Sequence, residues 1–99
     1  MLRRAWWHGF SAVRSDDGYS VWFRGLGKGV EYSEASRVLR IPIEGARTKE
    51  ANWIIYMGHL RRWLPPHHNE ELSEEKRTQI RQRVVSALEF LKIKFHVED

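Results

Sequence analysis

Residues Ser73–Leu91 read SEEKRTQIRQRVVSALEFL, and the reading of this stretch decides the fold. Ile80, Val84, Ala87, Leu88 and Leu91 recur at i, i+4, i+7, i+8 and i+11. At roughly 3.6 residues per turn they form one apolar stripe on a helix of about five turns. Ser73 is the expected N-cap, because its hydroxyl can accept a hydrogen bond from a first-turn amide. Glu74 and Glu75 lie where the helix dipole favours negative charge. Lys76, Gln79, Gln82, Arg83, Ser86 and Glu89 are read as the opposite side, and no glycine ends the helix, since Leu91-Lys92 runs into Ile93. A helix with one stripe must bury it on another element. The rest of the chain therefore has to supply a sheet.

Working outward, Ile93, Phe95 and Val97 alternate with Lys94, His96 and Glu98, a short terminal strand. Upstream of the helix, Pro65-Pro66 forces an extended, non-helical segment. Trp53–Met57 is apolar on both faces, which suits a strand in the middle of a sheet. Leu39, Ile41 and Ile43 alternate against Arg40, Pro42 and Glu44, and Pro42, with no amide to donate, places this strand at an edge or a bulge. Val30 and Tyr32 make another short strand, joined to the next through Glu34-Ala35-Ser36. Near the start, Ser15-Asp16-Asp17-Gly18 reads as a hairpin with Asp17-Gly18 as a two-residue type I′ loop. That register sets Arg14 opposite Val21, Val13 opposite Trp22 and Ala12 opposite Phe23. One face then collects Phe10, Ala12, Tyr19, Val21 and Phe23; the other collects Ser11, Ser15, Ser20 and Arg24, with Val13 and Trp22. The expected architecture is α+β, a single domain over residues 1–99. It has an antiparallel meander of about five strands, one long helix in the C-terminal half packed on one face, and a short terminal strand.

Composition agrees with a folded chain. The 99 residues are 41% hydrophobic and 30% charged, with five tryptophans and no cysteine. Disulfides, thiol catalysis and cysteine-ligated metal sites are excluded. Lys and Arg outnumber Asp and Glu by 17 to 13, and residues 1–63 hold 11 of those cations against six acids. A basic face favours anionic partners. No apolar run reaches the ~20 residues of a membrane span. Met1-Leu2-Arg3-Arg4 looks like the basic start of a signal peptide, but the following stretch is too short for an apolar core. A cytoplasmic protein with no membrane partner is expected.

No catalytic constellation emerges. Gly25-Leu26-Gly27-Lys28-Gly29 has the glycines of a phosphate loop but lacks the Ser or Thr and the helix that must follow. His59, His67, His68, Glu70 and Glu71 could be metal ligands by type. However, adjacent His67-His68 point opposite ways in an extended segment, no two histidines are spaced i, i+4, and His8 and His96 are isolated. Asp16-Asp17, Glu70-Glu71 and Glu74-Glu75 each have a structural reading as turn, loop and helix start. The expectation is no enzyme, no metal and no cofactor. Basic residues interleaved with aromatics carry more: Arg3-Arg4-Ala5-Trp6-Trp7, Trp22-Phe23-Arg24 and Arg61-Arg62-Trp63 could form stacking faces flanked by phosphate contacts. Trp63-Leu64-Pro65-Pro66-His67 is a stiff corner, with Trp63 either packed inward or presented at an interface.

Tyr56 before a polar stretch, Trp63-x-Pro65-Pro66-His67, Glu71-Leu72-Ser73-Glu74-Glu75, the Ile80…Val84…Ala87-Leu88 helix and the closing Ile93-Lys94-Phe95 together resemble the immunity protein 74 family of bacterial polymorphic toxin systems. The resemblance spans roughly residues 53–97. It implies a small cytoplasmic protein that binds and neutralises a cognate toxin domain without chemistry of its own, and it names no binding residues. For a basic chain it implies an acidic contact surface on that toxin. From the residues themselves, the expected partner-binding surface is Trp22, Arg24, Arg61, Arg62, Trp63, Pro65, His67 and His68. Trp22 would be the apolar anchor, and Arg61 and Arg62 the charged contacts. Two alternatives stay open: a small basic nucleic-acid-binding module using the same residues, and a homo-oligomer formed through an exposed sheet edge.

Overall fold

Nine elements follow one another in the computed structural model, which describes residues 1–5, 11–25 and 27–99: β1 (Leu2–Arg4), β2 (Ala12–Ser15), β3 (Tyr19–Gly25), β4 (Gly29–Glu34), β5 (Arg37–Ile41), β6 (Ile43–Gly45), β7 (Trp53–Tyr56), α1 (Glu74–Phe90) and β8 (Phe95–Glu98). The first five strands form an antiparallel meander in chain order. With one helix and a short C-terminal strand, the α+β architecture expected from the sequence is the one observed.

The strands are divided differently from the expectation. Leu2–Arg4, read as a leader-like start, is the edge strand of the meander, with Leu2 opposite Ser15. Trp53–Tyr56 is indeed a middle strand, but of a second sheet ordered β6-β7-β8, where β6 pairs antiparallel and β8 pairs parallel to it. The cause is Pro42. The chain is extended on both sides of it, but the residue has no amide to continue a ladder. Its carbonyl accepts instead from the Tyr56 amide at 2.9 Å, which transfers the chain from β5 to β6 and the second sheet.

The first hairpin also departs from the expected register. Val13 faces Val21, Ala12 faces Trp22 and Arg14 faces Ser20. The loop thus holds three residues, Asp16-Asp17-Gly18, with Gly18 at φ +88°. Ser15 selects it: its Oγ accepts from the Asp17 amide at 3.0 Å, and its carbonyl accepts from the Gly18 amide at 3.2 Å. The one-residue slip exchanges the faces of β2, so Val13 joins Tyr19 and Val21 in the core. Phe10 lies outside the described residues.

Ser73 caps α1 as expected, its Oγ accepting from the Lys76 amide at 3.0 Å. Ile80, Val84, Ala87 and Leu88 are fully buried. They pack with Val13, Val21, Val30, Tyr32, Leu39, Ile41 and Ile55 in one cluster that joins the helix to both sheets. The helix ends without glycine. Lys92 adopts φ +60° and donates to the Glu89 carbonyl, while Ile93 donates to Leu88 at 3.1 Å. These two bonds make a Schellman motif with a lysine at the left-handed position. Lys92→Gly is expected to stabilise the protein by about 1 kcal/mol, since the left-handed conformation disfavours a Cβ. An upward shift of the thermal midpoint by several degrees would show this; no change would mean that the lysine stem offsets its own strain.

Candidate binding surface

The meander has two faces. Val13, Tyr19, Val21, Val30, Tyr32, Leu39 and Ile41 point to the helix. The register sets Arg14, Ser20, Trp22, Glu31, Ser33, Val38 and Arg40 on the opposite side. Ala12, Trp22, Glu31 and Arg40 form one cross-strand row on that outer side. The Arg24 guanidinium lies 4.3 Å from the centre of the Trp22 ring and 3.5 Å from a Glu31 carboxylate oxygen. A cation over an indole face is attracted by the ring's quadrupole. Trp22 is thus half-buried under arginine, not a bare anchor.

The Pro corner takes the other residues. Trp63 is only 5% exposed. Its ring stacks on Tyr32 at 6.3 Å between centroids, and Tyr32 stacks on Tyr19 at 5.8 Å. The two options for Trp63 are therefore settled in favour of the core. Leu64 donates its amide to the Val38 carbonyl at 2.8 Å, which fastens the corner along the edge of β5. Pro65, Pro66 and His68 are exposed and His67 is half-exposed. The His67 Nε2 lies 3.4 Å from the Ser36 hydroxyl, and Arg37 grips Glu70 through two hydrogen bonds of 2.6 and 2.7 Å. Arg37 holds the Glu70 carboxyl below the usual carboxylate range, chiefly by these hydrogen bonds. Arg61 and Arg62 are exposed; Arg62 donates to the His68 carbonyl at 3.3 Å and approaches Glu71 at 3.5 Å.

Trp22 and Arg24 thus sit on the outer face of the meander, and Arg61, Arg62, Pro65, His67 and His68 sit beside its β5 edge. Arg40 lies between the two groups: it ends the Trp22 row and lines a groove shared with Arg61 and Arg62. Pattern reading assigned Arg40 only to the polar side of a strand. The cross-strand order that makes it a link comes from the fold.

A second charged group was missed for a similar reason. Glu34 lies on the helix-facing side of β4. It accepts from Tyr32 at 2.7 Å and from Lys76 at 3.0 Å, while Arg83 donates to the Tyr32 hydroxyl at 2.9 Å and covers the Tyr19 ring at 4.5 Å. Lys76 and Arg83, read as the solvent side of the helix, instead flank its stripe and fold back to the sheet. Burial opposes ionisation of Glu34, but the hydrogen bonds from Tyr32 and Lys76 and the charges of Lys76 and Arg83 outweigh it and hold the carboxyl below its usual range. Burial pushes the Tyr32 hydroxyl well up, opposed by the Arg83 hydrogen bond and reinforced by Glu34.

A depressed folded pKa contributes stability that is present above the unfolded value, near 4.3 for Glu, and is lost as pH falls through the folded value. Glu34→Gln is expected to cost about 1–2 kcal/mol at pH 7 by stranding two cations. It should also flatten the acid limb of a denaturation series below pH ~4.5. An acid limb identical to that of the parent protein would refute the assignment.

Among the described residues no group of three or more His, Asp or Glu side chains is placed to hold a metal ion. The Gly25–Gly29 segment closes the β3–β4 hairpin, with Lys28 donating to the Gly25 carbonyl at 3.1 Å, and β4 rather than a helix follows it. No described helix is long and apolar enough to cross a membrane. Trp6, Trp7 and His8 lie outside the described residues.

The fold and surface define a small α+β chain whose polar groups are spent on ion pairs within the structure and on an arginine-rich edge. Residues 26–98 match the family model of immunity protein 74, and the chain belongs to that family. The match starts ahead of β4, well upstream of the Trp53–Val97 stretch that carries the recognisable motifs. Comparison with curated proteins and with solved structures gave no match.

Proposed function

We propose that this chain binds a cognate toxin domain and neutralises it by occlusion, without catalysis of its own, in the cytoplasm of the cell that makes it. Membership of the immunity protein 74 family, over most of the chain, is the observation that carries this reading. The proposed contact surface is the basic-aromatic side of the meander continued over the β5 edge. Trp22, clamped by Arg24, supplies apolar area, and Arg61, Arg62, Pro65, His67 and His68 supply the rim. Trp63 acts from beneath, holding the corner in place through Tyr32. Such a layout has the large aromatic and arginine side chains that dominate binding energy at protein interfaces, and it needs acidic ground on the toxin.

The test is co-purification with the product of the neighbouring gene in the source genome. A stable equimolar complex, together with protection of cells expressing that product, is the expected result. Failure of both would overturn the reading. Binding of oligonucleotides with a steep loss of affinity as salt rises would favour a nucleic-acid module instead, and self-association without either partner would favour an oligomer through a sheet edge.

A further inference from the structure

A groove of about 290 Å³ runs along the edge of β5, between that strand and the Leu60–Arg62 segment. Pro42 and the Tyr56 ring contribute apolar lining above the buried Leu39 and Leu60, and Arg40, His59, Arg61 and Arg62 stand around it. Glu31 stands opposite Arg40 in the β4–β5 ladder but is held by Arg24 at 3.5 Å. Among the described residues neither Arg40 nor Arg61 has an acidic side-chain partner, whereas Arg24 has Glu31 and Arg37 has Glu70. Only Arg62 shares a carboxylate, Glu71, at 3.5 Å and in the open.

We propose that this groove seats a short acidic-apolar segment of the partner protein, with a carboxylate held by Arg40 and Arg61 and the neighbouring apolar side chain on Pro42 and the Tyr56 ring. The proposal rests on the immunity reading and gives the partner's contact a chemistry. Two features select a peptide. The volume, about 290 Å³, suits one or two side chains. Two residues that line the groove are also already engaged by carboxylates: Tyr56 donates to Glu44 at 2.8 Å, and Arg62 faces Glu71. Those two acids repel a continuous phosphate backbone while leaving Arg40 and Arg61 open to a single carboxylate. Guanidinium is the side chain suited to such forked pairing.

Two experiments decide the matter. The intact protein, isotopically labelled, is titrated with a capped pentapeptide of alternating aspartate and leucine, with its asparagine isostere, with inorganic phosphate and with an oligothymidylate. Amide shifts confined to Arg40, His59, Leu60, Arg61 and Arg62, produced by the acidic peptide and not by the isostere, are expected. Equal shifts from the isostere, absence of shifts at millimolar peptide, or preference for phosphate or oligonucleotide would each overturn the proposal. In the complex with the toxin, Arg40→Glu and Arg61→Glu should each weaken binding at least about tenfold, mainly through dissociation. Arg47→Glu, on the β6–β7 connection, should leave binding unchanged. Arg61→Glu and Arg47→Glu should keep the parent's thermal midpoint; Arg40→Glu, which sets a second carboxylate opposite Glu31, is read beside Arg40→Gln, and a loss of binding shared by both reports the contact. A wild-type complex indifferent to Arg40→Glu and Arg61→Glu overturns the groove and spares the immunity reading. If no wild-type complex forms, that reading fails, and the peptide titration still decides the groove.

Discussion

Trp63→Ala is expected to destabilise the protein by about 3–5 kcal/mol, the usual cost of emptying a buried indole site. The ring is 5% exposed and stacked on Tyr32, which is itself stacked on Tyr19 and hydrogen-bonded to Glu34 and Arg83. Removing it opens a cavity under the corner and frees the Tyr32 ring on one side. For a chain of this size the midpoint should fall by well over 10 °C, at about 4–8 °C per kcal/mol. Trp63→Phe keeps an aromatic face and should lose less than half as much. If Trp63→Ala left the midpoint within a few degrees of the parent, the indole would not be a core element. The result also guards the functional test, because lost toxin binding in Trp63→Ala would report a collapsed corner rather than a missing contact.

Gly29→Ala is the second large effect. Gly29 opens β4 at φ +80°, and a Cβ there would sit inside the van der Waals envelope of the Ile41 carbonyl oxygen. The left-handed conformation alone costs a non-glycine residue about 1–2 kcal/mol. The obstacle is backbone and cannot swing aside, so the Val30–Ile41 pairing must also open. A total of roughly 3 kcal/mol or more is expected, within the range of strained special-backbone sites. Gly27→Ala serves as a control. It shares a positive φ of 78°, but a Cβ there meets nothing, so it should show only the conformational cost. Equal losses at both positions would mean that the close approach to Ile41 contributes nothing.

What could be read from the chain was what is local. The helix was legible because its stripe and its Ser73 cap lie within 19 consecutive residues, and each acts through neighbours one turn away. The alternation around Pro42 was legible too, and its meaning as an interruption was physical: a missing amide. Its outcome was not legible, because whether a chain bulges or changes sheet depends on who receives its carbonyl, and Tyr56 is 14 residues on. The β2–β3 register failed over a single hydroxyl, since Asp-Gly suits a two-residue loop until Ser15 takes the Asp17 amide. On the candidate surface, Arg61, Arg62 and Pro65 were named from the sequence and are exposed. The burial of Trp63 depended on Tyr32, and the part of Arg40 depended on cross-strand order. Neither can be counted along one strand.

The parallel pairing of β7 with β8, set by Trp53 opposite Phe95, has a kinetic side. Every ladder of the meander joins neighbours through short connections, whereas β7 and β8 must find each other across the whole of α1. Loop closure over such a span is slow relative to hairpin formation. The meander and helix should therefore assemble first, with the second sheet closing late on a prepared surface. Ile55 and Met57 would then be among the last core side chains to be covered.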